Sequence, residues 1–169
     1  MSNLRLVKEY ITTSGATRLN FTDLFTTDFD CFQVIIDGKA DSSASGGHMS
    51  LINANGGRDN SSNYEWALRY MKGNAGDGDL QNSGVTDWAY TCNVYDTTGG
   101  TSVYYFFNPA QADKYTYLVG VNATTTSGDS RAYRNIGMFK KKASMTGISM
   151  DMDNNMTAIV RSYGIGIDT

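Results

Sequence analysis

Two carboxylates beside two tryptophans are the residues of this chain that could form a hydrolytic site. Glu65 and Asp87 stand next to Trp66 and Trp88, and glycosidases use a pair of carboxylates across a sugar-binding groove. Tryptophans on alternating strands are more often core residues, and exposed ones serve non-catalytic sugar binding equally well. A carboxylate-dependent glycosidase therefore stays a remote alternative, and we predict a non-enzymatic protein with no catalytic residue.

Other catalytic chemistries lack their residues. His48 is the single histidine, which excludes most His-dependent triads and any multi-histidine metal site, and we interpret it as the edge of a loop. The chain has no G-x-S-x-G, no phosphate-binding glycine loop and no G-x-G-x-x-G after a strand. Gly164 and Gly166 end a strand and open no helix, so they cannot cradle a phosphate.

Metal and disulfide sites are also weakly indicated. Cys31 and Cys92 are far apart and have no C-x-x-C spacing; we interpret both as buried free thiols, with a bridge between them as the alternative. Acidic clusters at residues 76–79 and 151–155 could offer oxygen ligands to calcium, but neither has the spacing of an EF-hand loop. Because Asp and Asn also suit turns, we predict no metal and no cofactor.

Composition limits the partners. The chain has 169 residues, a formal charge of −3 and only 18% charged residues, with no basic face for a nucleic acid. It has no run of about 18 apolar residues that could cross a membrane. The N-terminus lacks the basic and apolar regions of a secretory signal, so we expect synthesis in a cytoplasm.

Alternation of apolar and polar residues predicts strands throughout the chain. Residues 63–72 alternate aromatics with polar residues, although Glu, Ala, Leu and Arg there would also suit a helix. Residues 31–37 are apolar on both faces, which favours a central strand. The predicted strands cover residues 4–11, 18–21, 31–37, 48–53, 63–72, 85–95, 101–107, 114–121, 133–140, 148–152 and 156–167.

The spacing of these strands predicts an all-β protein. We expect one domain over residues 1–169, a jelly-roll-like antiparallel β-sandwich of about ten strands. Residues 38–47 and 73–84 are predicted to be exposed loops because they are rich in glycine and polar residues. Residues 85–95 should pair with residues 101–107 as a hairpin, and a turn at residues 153–155 should make a second, long hairpin.

Three segments resemble small β-sandwich virion proteins of tailed, marine-type bacteriophages. Residues 13–23 (TSGATRLNFTD) are similar to the family's small-residue turn and L-x-F-T strand. Residues 29–37 (FDCFQVIID) resemble its Y-x-x-Y-x-F-x-F-x-N strand. Residues 156–165 (MTAIVRSYGI) resemble its closing G-T-I-R-L-Y-G-I strand, except that Ser162 replaces an apolar residue.

The resemblance implies a virion structural protein. Such proteins are capsid decoration (cement) subunits or domains of fibres and tail tips. The chain has neither heptads nor repeats to serve as a fibre stalk, so we expect a decoration or other small subunit at the virion surface. Its expected partner is the major capsid protein or another virion protein, and we expect a homo-oligomer, a trimer first of all. The alternative is a receptor-binding tail tip that contacts a host-surface glycan through residues 38–47 and 73–84.

Overall fold

The computed structural model describes residues 2–42, 46–73, 76–92, 97–126 and 129–167, and these residues form strands joined by turns and loops. No helix occurs in these ranges, and so none that could span a membrane. The all-β prediction is confirmed. The strands are β1 (Ser2–Ile11), β2 (Ala16–Phe21), β3 (Cys31–Ala40), β4 (His48–Asn53), β5 (Tyr64–Lys72), β6 (Gly76–Val85), β7 (Trp88–Ala89), β8 (Gly100–Phe107), β9 (Thr116–Thr126), β10 (Asp129–Phe139) and β11 (Met145–Ile167).

The strands form two sheets that share the long strand β11, and every ladder is antiparallel. Residues 156–167 of β11 pair with β1 and β3, which places them in a large sheet with the order β6-β5-β10-β9-β8-β3-β11-β1. Residues 145–151 pair with β2 and β4 and form a small sheet with the order β2-β11-β4-β7. The molecule is a β-sandwich, as predicted.

The hydrophobic core lies between the two sheets. Alternation along β3 turns Phe32, Val34 and Ile36 to the inner face of the large sheet, where each is fully buried. Met49 and Met150 of the small sheet belong to the same buried cluster. The apolar positions from which these strands were predicted are thus the positions that pack the two sheets together.

Trp88 closes one end of the core. Its side chain is fully buried and lies edge-on to Tyr64 of β5, with ring centroids 5.1 Å apart. Glycine at position 137 makes room for it, since a Cβ there would stand 2.7 Å from the indole Nε1. Trp88 is therefore a core residue, which leaves it no part in an open groove.

The predicted loop at residues 73–84 is wrong over most of its length. Residues 76–85 form β6, the edge strand of the large sheet, which pairs with β5 along its whole length; residues 74 and 75 lie outside the described residues. Backbone hydrogen bonds hold an edge strand even where its side chains are small and polar. The glycines and aspartates that suggested a loop were therefore misleading.

Neither predicted hairpin forms. In the described part of the first segment, Val85 ends β6 and β7 pairs with β4, while β8 pairs with β3 and β9. The positive φ of Tyr90 (57°) stops this segment from continuing as a strand; Val94 and Tyr95 lie outside the described residues. At residues 153–155 the chain does not reverse, because β11 continues from the small sheet into the large one.

The predicted loop at residues 38–47 is also shorter than expected. β3 extends to Ala40 because residues 38–40 pair with residues 156–158 of β11. Residues 43–45 lie outside the described residues. The other predicted strands match β1, β2, β3, β4, β5, β8, β9 and β10 to within a few residues at each end.

Candidate functional site

The four residues considered for a glycosidase do not form a groove; they are Glu65, Trp66, Asp87 and Trp88. Glu65 and Trp66 are neighbours on β5 and therefore point to opposite faces of the large sheet. Glu65 faces outward and forms an ion pair with Lys140, whereas Trp66 faces inward and packs against Tyr90. Trp88 is buried in the core. The tryptophan-lined groove between the two carboxylates is therefore not assembled.

Asp87 belongs to a different arrangement. Its carboxylate bonds His48 Nδ1 at 2.8 Å and lies 3.4 Å from Arg58 Nη2. Burial works to raise the pKa of Asp87, but the hydrogen bond and charge of His48, with the charge of Arg58, bring it below the ordinary value. A general acid needs a raised pKa. Asp87 is thus a carboxylate of an ion-pair network.

That network, the small-sheet ion-pair cluster, gathers five side chains from distant parts of the sequence: Arg18, His48, Arg58, Asp87 and Asp151. Asp151 Oδ2 accepts from Arg18 Nη2 at 2.6 Å and from Arg58 Nη1 at 2.9 Å. The hydrogen bond with Asp87 raises the pKa of His48, and burial opposes it only partly. The cluster thus pairs both of its carboxylates with arginines and His48.

The loop at residues 54–63 covers the outward face of the small sheet. Arg58 Nε donates to Ser50 Oγ at 2.8 Å, and the Asp59 amide donates to the Leu51 carbonyl at 2.8 Å. The Asp59 carboxylate is itself almost buried and is paired with Lys141 Nζ at 2.8 Å. This face of the sandwich is therefore closed by the chain's own residues.

The cysteines are free thiols with different exposure. Cys92 is fully buried, and burial raises its pKa to about 12. Cys31 is half-buried on the outward side of β3, where burial also raises its pKa. The prediction of free thiols rather than a bridge agrees with the structure, although only Cys92 is fully buried.

The acidic clusters considered for calcium have protein partners. Asp77 lies on β6 and pairs with Arg69 of β5, and Asp151 belongs to the small-sheet ion-pair cluster. Among the described residues, no group of three or more His, Cys, Asp or Glu side chains is placed to hold a metal ion. Ion pairing within the protein therefore explains an acidic residue in each cluster.

The outward face of the large sheet is apolar over six adjacent strands, from β1 to β10. Ile136 and Val121 keep 55% and 53% of their surface exposed, whereas Phe106, which points inward from β8, keeps none. We call this surface the apolar face. It consists of Leu4, Leu6, Ile35, Val103, Tyr105, Phe107, Tyr117, Val119, Val121, Ile136, Met138, Tyr163 and Ile165.

Strand register aligns these side chains in rows across the sheet. The two rows nearest one end contain no charged residue between β1 and β10. The first row holds Leu4, Ile165, Cys31, Phe107, Tyr117 and Met138. The second row holds Leu6, Tyr163, Gln33, Tyr105, Val119 and Ile136.

Charged residues border the apolar face. In the third row, Arg161 of β11 pairs with Glu9 of β1 at 2.5 Å, and Arg134 of β10 lies between Val121 and Arg69 in register. An apolar centre with a polar, charged border is the usual anatomy of a protein interface. The arrangement suits contact with another protein.

A groove of about 730 Å³ runs along one side of the apolar face, over β9, β10, β5 and β6. Apolar side chains of β9 and β10 line one side of it: Tyr117, Val119, Ile136 and Met138. Polar side chains line the other wall, including Glu65 and residues 81–83 of β6. Its volume falls within the range of small-ligand sites.

Sequence reasoning named no interface residue and missed the apolar face. The signal that could have found it is the double-sided character of β3 and β8, where Ile35, Val103 and Tyr105 alternate with inward apolar residues. Such segments read as strands covered on both sides. Here the part of the chain that the structure describes covers only one side.

No family model matches the chain, and no curated protein matches it. Among solved structures, galectin LEC-6 of Caenorhabditis elegans is 9% identical, with 94% of this chain and 96% of that chain covered and a TM-score of 0.36. An alginate lyase mutant in complex with an alginate tetrasaccharide is 8% identical, with 85% of this chain and 72% of that chain covered and a TM-score of 0.28. At these TM-scores neither likeness supports an argument about activity, ligand or partner.

Proposed function

We propose that this chain is a non-enzymatic structural subunit of a bacteriophage virion surface, a capsid decoration protein or another small surface subunit. The observation that carries the proposal is the apolar face. Monomeric soluble proteins seldom expose contiguous apolar patches of more than a few hundred Å². A sheet face that is apolar across six strands therefore points to a molecule that works by assembling with other protein.

Two further observations support an assembly role. The two carboxylates considered for a hydrolase form ion pairs. Glu65 pairs with Lys140, and Asp87 pairs with His48 and Arg58, so both have a structural role. The weakly charged, polar remainder of the surface and the three sequence segments that resemble phage virion proteins agree with a subunit that joins a particle. The proposed partner on the particle is the major capsid protein or another virion protein.

The test is to mix purified protein with undecorated capsids of the parent phage and to image them by cryo-electron microscopy. Ordered density at symmetry-related positions on the capsid is expected. Isolated tails of the same phage, which carry no capsid protein, are imaged in the same way as the matched sample. Bare capsids together with occupied tails would overturn the decoration proposal and leave a tail subunit.

Glycan binding by a tail tip is the second candidate, and the groove is the observation that favours it. Residues 81–83, within the segment expected to contact a glycan, line its polar wall, and Tyr117 could stack on a sugar ring. A glycan array probed with the wild type and with Tyr117→Ala tests this. Binding by the wild type that Tyr117→Ala abolishes would replace assembly as the role of this surface.

A further inference from the structure

We propose that a second copy of this chain covers the apolar face, with the same face of each copy packed against the other around a two-fold axis. This inference deepens the proposed assembly role, on which it rests, because it names the partner of that surface. The subunit that joins the virion would then be a dimer whose remaining surfaces meet the particle.

The size of the apolar face suits such a contact. Six strands spaced at about 4.8 Å and three rows of side chains give a footprint of about 500 Å², and its corrugated accessible surface is larger. With the adjoining outward side of β5 and β6 included, the surface approaches the about 800 Å² per partner that a stable interface buries. A small contact such as a loop tip would leave most of it exposed.

The composition of the face resembles that of interfaces between identical subunits. Its two uncharged rows present tyrosine, phenylalanine and methionine, which are enriched at interface centres, and no lysine, aspartate or glutamate, which are depleted there. Interfaces between identical subunits are also more apolar than those of transient complexes. The arginines at 134 and 161 belong to the border, where contact with solvent persists.

A second copy is the partner that is present from synthesis onward. An apolar face left open until a different protein arrives would promote aggregation, whereas a copy of the same chain is always available at the same concentration. The net charge of only −3 gives little repulsion between copies.

Geometry favours two copies. Twisted sheets pack face to face with their strands about 30° apart and about 10 Å between them. A contact between the same surface on both copies closes with two subunits. The inference therefore departs from the trimer expected from the sequence resemblance.

Sedimentation velocity between about 1 and 100 µM tests the proposal, since this range brackets micromolar association. The wild type should be a dimer. Val119→Arg, in the second of the uncharged rows, should raise the dissociation constant by about 100-fold because it buries an unpaired charge. Asn20→Arg places the same side chain at an exposed position of β2 in the small sheet, and it should change the constant by less than about threefold. A monomer, a trimer, or a dimer that tolerates Val119→Arg would overturn the proposal.

Maleimide labelling of Cys31 gives a second, local readout. Cys31 lies in the first row of the uncharged rows, so the dimer should slow its labelling at least about tenfold relative to Val119→Arg at the same concentration. Cys92 is buried in the core and serves as the internal control for folding. Equal labelling of Cys31 in both proteins, with Cys92 unreactive, would overturn the proposed face of contact.

The two proposals fail separately. Sedimentation and labelling use the purified chain without capsids. The absence of a dimer, or a dimer whose apolar face stays accessible, therefore refutes only self-association through the apolar face. Bare capsids in the imaging experiment, with the dimer intact in solution, refute only the virion-surface role.

Discussion

The outward faces of the two sheets have opposite chemistry. On the small sheet, Ser50 and Ile52 are buried beneath the loop at residues 54–63, and Arg58 bridges that loop to the carboxylates of Asp87 and Asp151. On the large sheet, the apolar face has no such cover from the described residues. The described residues thus cover the outward face of the small sheet and leave the apolar face of the large sheet open.

The difference shows where stability and assembly are separated in this molecule. Contacts on the covered face form within one copy, so they contribute to folding at any concentration. Many side chains of the apolar face are about half exposed within one copy, so their further burial would require contact with another molecule. Substitutions on the two faces should therefore act on different equilibria.

Arg58→Ala should have the largest effect on folding. It removes the donor to Ser50 and the cation shared by Asp87 and Asp151, and it opens the loop above Ile52. Because the abandoned groups are largely buried, the free energy of unfolding should fall by about 2–3 kcal/mol. Urea denaturation followed by circular dichroism measures it.

Tyr105→Ala on the apolar face is the matched comparison. Its side chain is 37% exposed, and its hydroxyl accepts only an exposed hydrogen bond from Gln33 Nε2 at 2.9 Å. In samples diluted below the dimer dissociation constant, the unfolding free energy should change by less than about 1 kcal/mol. A loss equal to that of Arg58→Ala would contradict the division between the two faces.

The sequence allowed the strands to be predicted better than the surfaces. Alternation located β3, β5, β9 and β10, because a half-buried strand repeats with period two. It could not tell which side of β3 the chain would cover, since Ile35 and Ile36 are equally apolar. β6 was missed for the opposite reason, because an edge strand held by backbone hydrogen bonds needs no apolar pattern.

The small-sheet ion-pair cluster could not be predicted either, because its residues are far apart in the sequence. Its members come from β2, β4, the loop after β4, the turn before β7 and β11, and only the topology brings them together. A sequence shows that Asp87 and His48 exist, but it does not show that they are 2.8 Å apart. The burial of Trp88 in the core could not be predicted for the same reason, because it depends on how the two sheets pack.

Asp59→Asn tests the covered face at a second point, with a smaller expected effect. Burial works to raise the pKa of Asp59, but hydrogen bonds from Lys141 and Ser61 hold it below its ordinary value. Its contribution is therefore present above about pH 3.8 and is lost as the pH falls through the folded pKa. At pH 7 the variant should be less stable by about 1 kcal/mol.

The pH dependence separates this cause from a packing effect. The difference between the wild type and Asp59→Asn should shrink when unfolding is repeated in acid, where the aspartate is protonated. Lys141→Met, which keeps most of the side chain but removes the charge, should reproduce part of the loss at pH 7. A difference between Asp59→Asn and the wild type that is the same at every pH would contradict the ion-pair account.

Val121→Thr probes the apolar face with a nearly isosteric change. Val121 is 53% exposed, so the hydroxyl remains in water in one copy, and the unfolding free energy should change by about 0.5 kcal/mol or less. Burial of that hydroxyl in the dimer should weaken association by about three- to tenfold. Sedimentation equilibrium measures it, and stronger association by the variant would contradict burial of this side chain.

His48 provides the smallest effect and a distinct pH window. Asp87 accepts its hydrogen bond and raises the pKa of His48 above 6.5, with smaller contributions from the negative charges of Asp151 and Asp153 and partial opposition from burial. A raised folded pKa stabilises the fold fully below about pH 6.5, and this contribution is lost as the pH rises through the folded value. Asp87 stays ionised throughout, because its own pKa is lowered.

The expected size is modest because the imidazole is 47% exposed and solvent screens the pair. Between pH 5.5 and 8.5 the wild type should lose about 0.5 kcal/mol more than His48→Gln, and added salt should reduce the difference. A wild type that gains stability relative to His48→Gln over that range would contradict the assigned pair. The apolar face contains no histidine, since His48 is the only one in the chain, so the dimer dissociation constant should not follow this step. A parallel change in association would mean that the two outward faces are coupled.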